Sequence, residues 1–510
     1  MHSSDIEFSP GLIKSTISKQ LKLYKELIVY FSKKLNFIHN LNLRKKQWEI
    51  LIGPTLIILI RKVLYEDKVY RKGKIKNIKI PNTFLDLNDF EKNNSDFHLI
   101  INKIVHSGFV KKKTLLQKKR FVLSEYIKFN FFFFKLLIKS NFYNTIIADV
   151  FNYEKNFFSL IKKKLNKNIL FKFYDYNFRN KIEFDEKKRS YLIKNNFKLT
   201  EKKKIINLSY YYFPISIIER FENFKNLSSK IILNQKKIKK ISTSTGHIYN
   251  EVFKFVIFNL SQKKNFSFYV WQHGANDINL NSVFSLFNYN ISNKILCWGN
   301  LKNKDSKFHK VGYQKNFKKK KYEFKKIKRI DLLFSDLAQN HSPIDINLNF
   351  YINILKFLNK YSQKLKIRAI LYNNKIDKFN FEKIQYLQKK FKNVVFTLND
   401  NKLFDPLDRK NSILIIPYHT TALYEAFLLN VPFVIFMNEY IYSYDSSFKK
   451  MKNLFYSSKI GFSSLGEIKK NIINNNLSWY RSKRRLKVIK IFKKKYIDNL
   501  DIESLRSIHK

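Results

Sequence analysis

The chain is expected to fold as an α/β protein: two successive Rossmann-like parallel-sheet halves facing a cleft, with an added N-terminal helical region. Three observations carry this expectation. After residue 228, short apolar runs alternate with helical stretches, the pattern of βαβ units. Two of these runs end in polar motifs, Trp271-Gln272-His273-Gly274-Ala275-Asn276-Asp277 and Tyr418-His419-Thr420-Thr421. Such positions, outside the carboxyl ends of strands, are where open α/β sheets bind ligands. The stretch before residue 75 has helical rather than alternating periodicity.

In that first stretch Leu21, Tyr24, Leu27, Ile28 and Phe31 recur at helical offsets and form one apolar face. Gly53-Pro54 is predicted to kink or restart the next helix, Trp48–Leu64. From 70 to 240 the chain is rich in Lys and Asn, with helices predicted at 114–139 and 144–165. Another helix is opened by Pro214 and runs to Phe221. Strands are predicted at Lys230–Leu233, Ile238–Ser242, Phe266–Trp271, Lys294–Trp298 and Phe308–Gly312, with a helix at Asn250–Leu260. The like-charged run Lys315-Asn316-Phe317-Lys318-Lys319-Lys320-Lys321 reads as an exposed linker.

Beyond the linker the alternation is cleaner. Strands are predicted at Ile330–Phe334, Ile367–Tyr372, Val394–Leu398, Ser412–Ile416 and Phe433–Phe436. Helices are predicted at Asn347–Leu365, Phe381–Phe391 and Thr421–Leu429. Asn430 suits a left-handed helix end, and Pro432 prevents continuation. The domain reading is therefore a helical region at 1–75, a Rossmann-like domain with helical insertions at 76–315, a second Rossmann-like domain at 325–480 and a basic helical tail at 481–510.

Composition narrows the class. With 510 residues, 45% hydrophobic and 16% aromatic, the chain can bury several cores. Its one cysteine, Cys297, excludes an internal disulfide and a cysteine-based zinc site, as expected in a reducing cytoplasm. The net charge of +60 invites a nucleic-acid reading. However, Lys far outnumbers Arg, and Lys, Asn, Ile and Phe are enriched together while Gly and Pro are scarce. That joint bias reads as AT-rich coding filling solvated positions, whereas phosphate and base readers favour Arg forks. Attraction to an anionic inner-membrane face is the partner reading the charge supports, at roughly 1 kcal/mol per lysine near the surface. No apolar run reaches the ~20 residues of a membrane span. Ile50–Ile60 and Phe129–Ile138 read as core helices, and Met1-His2-Ser3-Ser4-Asp5 lacks a signal-peptide layout, so a cytoplasmic location is expected.

The chemistry-bearing residues lie at the two strand ends. Thr420 and Thr421 precede a helix, whose N-terminus is an anion site. Glu425 lies one turn in, placed to accept from sugar or ribose hydroxyls, and His419 stands beside the threonines. His273 suits proton abstraction near neutral pH, Gly274 lets a ligand approach closely, and Asp277 competes as base or orients the imidazole. Gly299 and Gly312 are expected to serve tight βα turns, and Ser335-Asp336 follow the first strand of the second half. No P-loop, dinucleotide fingerprint, HExxH motif or clustered Cys/His set occurs, so no metal or cofactor is expected.

With these positions in hand, the chain resembles a transferase family of bacterial O-antigen and surface-carbohydrate biosynthesis. The resemblance rests on Leu35-Asn36-Phe37-Ile38-His39, on Trp48-Glu49-Ile50-Leu51-Ile52-Gly53-Pro54 and on the Pro214–Phe221 stretch. Trp271-Gln272-His273-Gly274, Cys297-Trp298-Gly299 and the Thr420-Thr421 block through Glu425 to Pro432 follow in the same order. The second half is also similar to CDP-glycerol glycerophosphotransferases and other GT-B transferases. This resemblance implies a GT-B-like domain pair in which the domain at 76–315 takes the acceptor and that at 325–480 the nucleotide donor, His273 is the base and Thr420 and Thr421 hold donor phosphates. Its partners would be a nucleotide-sugar donor and a glycan or lipid-linked acceptor. The sequence departs from the family at Ala275-Asn276-Asp277, where glycines are usual, and at Tyr418-His419, where Asn-Ser is usual. Two rival readings remain: a polyol-phosphate transferase on the same scaffold, and a non-catalytic nucleic-acid or membrane-surface protein driven by charge.

Overall fold

The computed structural model describes residues 10–69, 145–148, 169–170, 185–193, 200–233, 238–274, 282–299, 305–313, 322, 326–334, 344–371, 378–398, 403–405, 407–436, 446–474 and 478–509. The helix expected at 114–139 and the lysine run at 315–321 lie outside them.

Two all-parallel sheets organise the chain. The first contains β1 (Thr145–Ala148), β2 (Ile169–Leu170), β3 (Lys240–Thr243), β4 (Ser267–Trp271), β5 (Lys294–Cys297) and β6 (Phe308–Lys310), in the order β2-β1-β3-β4-β5-β6. The second contains β7 (Arg329–Leu333), β8 (Lys366–Leu371), β9 (Val394–Leu398), β10 (Ser412–Ile416) and β11 (Phe433–Ile435), in the order β11-β10-β7-β8-β9. All strands of a sheet run one way, so each sheet has a single carboxyl edge.

Strand periodicity sorts side chains into layers. In β4, Phe268 and Val270 join the core that holds the N-terminal helices, while Tyr269 and Trp271 point into the opposite layer. In β10, Leu414 and Ile416 face one core, and Ile413 and Ile415 the other. The helical region is α1 (Pro10–His39) paired with α2 (Lys45–Val69), both packed on the first sheet's layer with α3 (Glu201–Tyr212), α4 (Phe221–Leu233), α5 (Glu251–Leu260) and α6 (Val283–Ile291).

The motif residues of this region are structural. Asn36 Oδ1 accepts from the Leu43 N–H at 3.0 Å and from Trp48 Nε1 at 2.8 Å, fixing the turn between the two helices. His39 Nε2 donates to the Ile217 carbonyl at 2.8 Å, and its ring stacks on Phe221 at 4.3 Å. Burial pushes the His39 pKa down to about 4. Glu49 accepts from Tyr24 at 3.0 Å and from Asn290 at 2.8 Å, which joins α1, α2 and α6. A second buried tie joins Arg189 to Glu219, with Nε–Oε1 at 2.6 Å and Nη2–Oε2 at 2.8 Å. The same guanidinium reaches the carbonyls of Tyr210 and Phe213.

Three expectations need correction. α2 runs unbroken through Pro54. Its residues Ile50–Ile52 and Leu56–Ile60 are buried on every side, which offsets the ~3 kcal/mol cost of an internal proline. Gly53 is there because Phe287 packs on the backbone: a Cβ would lie 2.5 Å from its ring. Lys230–Leu233 is the last turn of α4, not a strand, because Phe221, Phe224, Ser228, Ile231 and Ile232 make a continuous helical face. Of the helix expected at 144–165, the described part is β1, whose Thr-Ile-Ile-Ala side chains are all buried between β2 and β3.

The stretch expected as a basic tail comprises α11 (Lys483–Tyr496) and α12 (Ile502–His509), once the second half's α7 (Ile344–Asn359), α8 (Lys378–Lys390), α9 (Thr421–Leu429) and α10 (Ser446–Ser457) are numbered. The outward face of α11 is basic, but Val488, Ile489, Phe492 and Tyr496 sit in the second sheet's core. The chain then returns to the first sheet, where Leu505 and Ile508 of α12 pack on Ile147, Tyr269, Trp271, Leu296 and Val311. Among the described residues no helix is long and apolar enough to cross a membrane.

Candidate functional site

The carboxyl end of β4 and the start of α9 meet. A Cβ placed on Gly274 would have Thr421 Oγ1 at 3.9 Å as its nearest neighbour. The first element comes from the first sheet and the second from the second sheet, so the two polar motifs approach one another at Gly274 and Thr421.

On the first side, Trp271 is buried and Gln272 is 1% exposed, while His273 and Gly274 are half-buried. The Gln272 side chain clamps the turn. Its Oε1 accepts from the Trp298 N–H at 3.0 Å, and its Nε2 donates to the Gly274 carbonyl at 3.2 Å. The backbone N–H of Gln272 also binds the Leu296 carbonyl at 2.9 Å. Asp277 lies outside the described residues.

On the second side, β10 ends at Pro417, and Thr420 is the N-cap of α9 in an extended conformation. Its hydroxyl makes no capping hydrogen bond, so the positive end of the helix keeps its pull on an anion. Tyr418 donates to the Phe334 carbonyl at 3.1 Å and fixes the ends of β10 and β7 together. Asn430 ends α9 with φ 56° and ψ 41°, the left-handed cap expected there. Ser335 and Asp336 lie outside the described residues.

Two expected ligand residues are committed to packing. His419 is fully buried, with Nε2 3.0 Å from the Tyr424 hydroxyl and its ring stacked on Phe448 at 4.5 Å. Burial drives its pKa down to about 3, so it stands as a neutral core residue rather than a phosphate donor. Glu425 accepts from Tyr313 Oη at 2.5 Å, a bond between the second half and the edge of the first sheet. One carboxylate oxygen is thereby occupied.

Trp298 and Tyr313 form a seam with the second half. The Trp298 ring lies 4.8 Å from Tyr313 and 5.7 Å from Tyr424, and Ile295, Cys297, Trp298 and Tyr313 share one core with Leu414, Ile416 and Tyr424. Gly299 and Gly312 belong to the same seam. A Cβ on Gly299 would come 2.5 Å from the Lys495 carbonyl oxygen, and Gly312 has φ +79° against the backbone of Asn499. Gly299 makes room for the last turn of α11 and Gly312 for the chain passing from α11 to α12. They are not turn formers for a ligand loop.

The sequence reading passed over one further group. The turn after β3, Thr243-Ser244-Thr245-Gly246-His247, lies beside the end of β4, because Thr243 pairs with Val270. His247 is fully buried and donates from Nε2 to Asn288 Oδ1 at 2.9 Å. Burial, with the neighbouring charges of Lys254 and His273, outweighs the Asn288 hydrogen bond and lowers its pKa to about 4. A hydroxyl-rich run between a strand and a glycine was the available signal. Among the described residues no group of three His, Cys, Asp or Glu side chains is placed to hold a metal.

A family model described as LIC12162 family transferase matches residues 9–504. The chain belongs to that family. The match takes in both sheets and α11, and it ends at the start of α12. The chain is also similar to Protein Ycf2 of Physcomitrium patens, with 26% identity over 438 residues, which is 75% of this chain and 18% of that protein. It therefore spans less than a fifth of the length of that curated relative, whose name specifies no reaction.

Proposed function

We propose that this transferase is of the GT-B type and moves a sugar from a nucleotide-activated donor to a bacterial surface-polysaccharide acceptor, such as O-antigen, lipopolysaccharide or capsule. The observation that supports this reading is the approach of Thr421 Oγ1 to Gly274, next to His273. Donor phosphates would rest at the start of α9, where the helix dipole and the hydroxyls of Thr420 and Thr421 oppose their charge. His273 would take the proton of the acceptor hydroxyl as that oxygen bonds to the sugar carbon and the bond to the phosphate oxygen breaks. The nucleotide leaves with its charge stabilised at the helix start. Asp277 is the competing base or the group that orients His273. The acceptor is a glycan or lipid-linked glycan, and the +60 charge favours peripheral contact with an anionic membrane face over nucleic acid.

The test begins with a thermal-shift panel of nucleoside diphosphates and nucleotide-sugars. A selective ligand at a hundred times its Kd stabilises by roughly 2.7 kcal/mol. Thr421→Val should abolish that shift. His273→Ala should keep it and lose transfer by about 10²- to 10⁴-fold. A folded His273→Ala protein with normal transfer removes the base assignment, and selective release of CMP would favour a polyol-phosphate transferase instead.

A further inference from the structure

We infer that Gln272 is a positioning residue that sets the base turn against the donor helix. The inference rests on the reading of His273 and Thr421 given above. The residue is buried, and both ends of its amide are used by backbone groups of fixed polarity. The Trp298 N–H can only donate and the Gly274 carbonyl can only accept, so the amide has one orientation and cannot flip. One side chain thus joins the end of β4 to the end of β5 and holds the peptide carrying His273 between them.

The connection continues into the second half. Trp298, whose backbone holds Gln272, packs its ring against Tyr313 and Tyr424, and Tyr313 donates to Glu425 on α9. Tyr424 and Glu425 lie three and four residues after Thr421 on the same helix, so they move with the hydroxyl that faces Gly274. From the turn to the donor helix, every link is a hydrogen bond or a buried ring contact. Gln272 acts on the turn itself through its side chain, at the Gly274 carbonyl. Its function is to fix the distance between base and donor; it does not touch the reacting atoms. Displacements of about 1 Å in such a geometry cost on the order of 10²-fold in rate.

Two substitutions separate this role from a general packing role. Gln272→Met has similar size and removes both hydrogen bonds. Gln272→Glu keeps an acceptor for the Trp298 N–H but turns the second contact into oxygen facing oxygen. With [15N]Trp and [15N]Gly labelling, the 4 tryptophans and 10 glycines give few enough signals to follow Trp298 and Gly274 directly. Expected in Gln272→Met are faster amide exchange at Trp298 by at least about tenfold and a shifted or broadened Gly274 signal. Gln272→Glu should move Gly274 while leaving Trp298 protected. Transfer measured with the nucleotide-sugar panel should fall 10- to 100-fold in kcat for both variants, with the nucleotide thermal shift unchanged. An unperturbed Gly274 signal in both variants overturns the inference, as does unchanged kcat in a chain that transfers. If the wild type transfers from no donor, the functional reading fails, and the labelled amides still decide whether Gln272 sets the turn.

Discussion

Replacing Gly312 with alanine should damage the fold far more than replacing Gly274, although both glycines follow strands of the first sheet. Gly312 sits at φ +79°, where an L side chain is strained by about 1–2 kcal/mol. Its added Cβ would also meet backbone, at 2.6 Å from the Asn499 carbonyl carbon and closer still to that carbonyl's oxygen. The backbone cannot retreat cheaply. The Tyr313 N–H binds the Asp498 carbonyl at 2.8 Å, and the Asp501 N–H binds the Val311 carbonyl at 2.8 Å, so the crowded pair is bracketed on both sides. Overpacking of this kind costs about 1–3 kcal/mol, giving about 2–5 kcal/mol in all. That is a large part of the 5–15 kcal/mol typical of folded domains. Gly274 has no positive φ and no neighbour within 3.9 Å, so its alanine variant should stay within about 0.5 kcal/mol of wild type. Urea unfolding of the three proteins measures the difference, and hydrogen exchange over residues 498–508 localises it. Equal stabilities for Gly312→Ala and wild type would refute the reasoning, as would an equal loss in Gly274→Ala.

Two further outcomes follow from buried polar groups. Arg189→Met strands the Glu219 carboxylate, 5% exposed at its side chain, and should cost about 3–5 kcal/mol by denaturant unfolding, whereas loss of a surface pair such as Lys225–Glu222 should cost under about 1 kcal/mol. Stability should also fall on mild acidification. Burial holds His39 and His247 neutral down to about pH 4 and His419 down to about 3, while in the unfolded chain they protonate near 6.5. Below that value the unfolded state takes up protons that the fold refuses, so this stability is full above pH 6.5 and drains as pH falls toward 4. At about 1.4 kcal/mol per pH unit per histidine, each loses roughly 2 kcal/mol by pH 5. Melting temperatures that stay flat between pH 7.5 and 5 would count against it.

How much of this was legible in the sequence depends on the range of the interactions concerned. Val394–Leu398, Ser412–Ile416 and Thr421–Leu429 fall where expected, because each is bounded by local signals such as Pro417 and Asn430. The strand-end position of His273 follows from the same short-range logic. Errors arose where distant packing decides. Pro54 sits inside a helix because its neighbours are buried on all sides, and Ile231-Ile232 are helical because they complete a face begun at Phe221. His419 looked like part of a polar loop, yet Tyr424 and Phe448 enclose its ring. Gly299 and Gly312 gave no sign of their role, since the backbone that crowds them arrives nearly two hundred residues later, on the order of the separation of Gly312 and Asn499.

That late arrival bears on how the molecule is made. Synthesis runs from the N-terminus, so β1 and β3–β6 leave the ribosome long before Leu505 and Ile508 exist. Until then the layer formed by Ile147, Tyr269, Trp271, Leu296 and Val311 lacks the cover that Leu505 and Ile508 give it, and an emerging chain must carry that greasy surface from Val311 to Leu505. Nascent copies are thus vulnerable to clumping until α12 emerges, and a chain cut short before Leu505 would keep an open flank, however intact its two sheets.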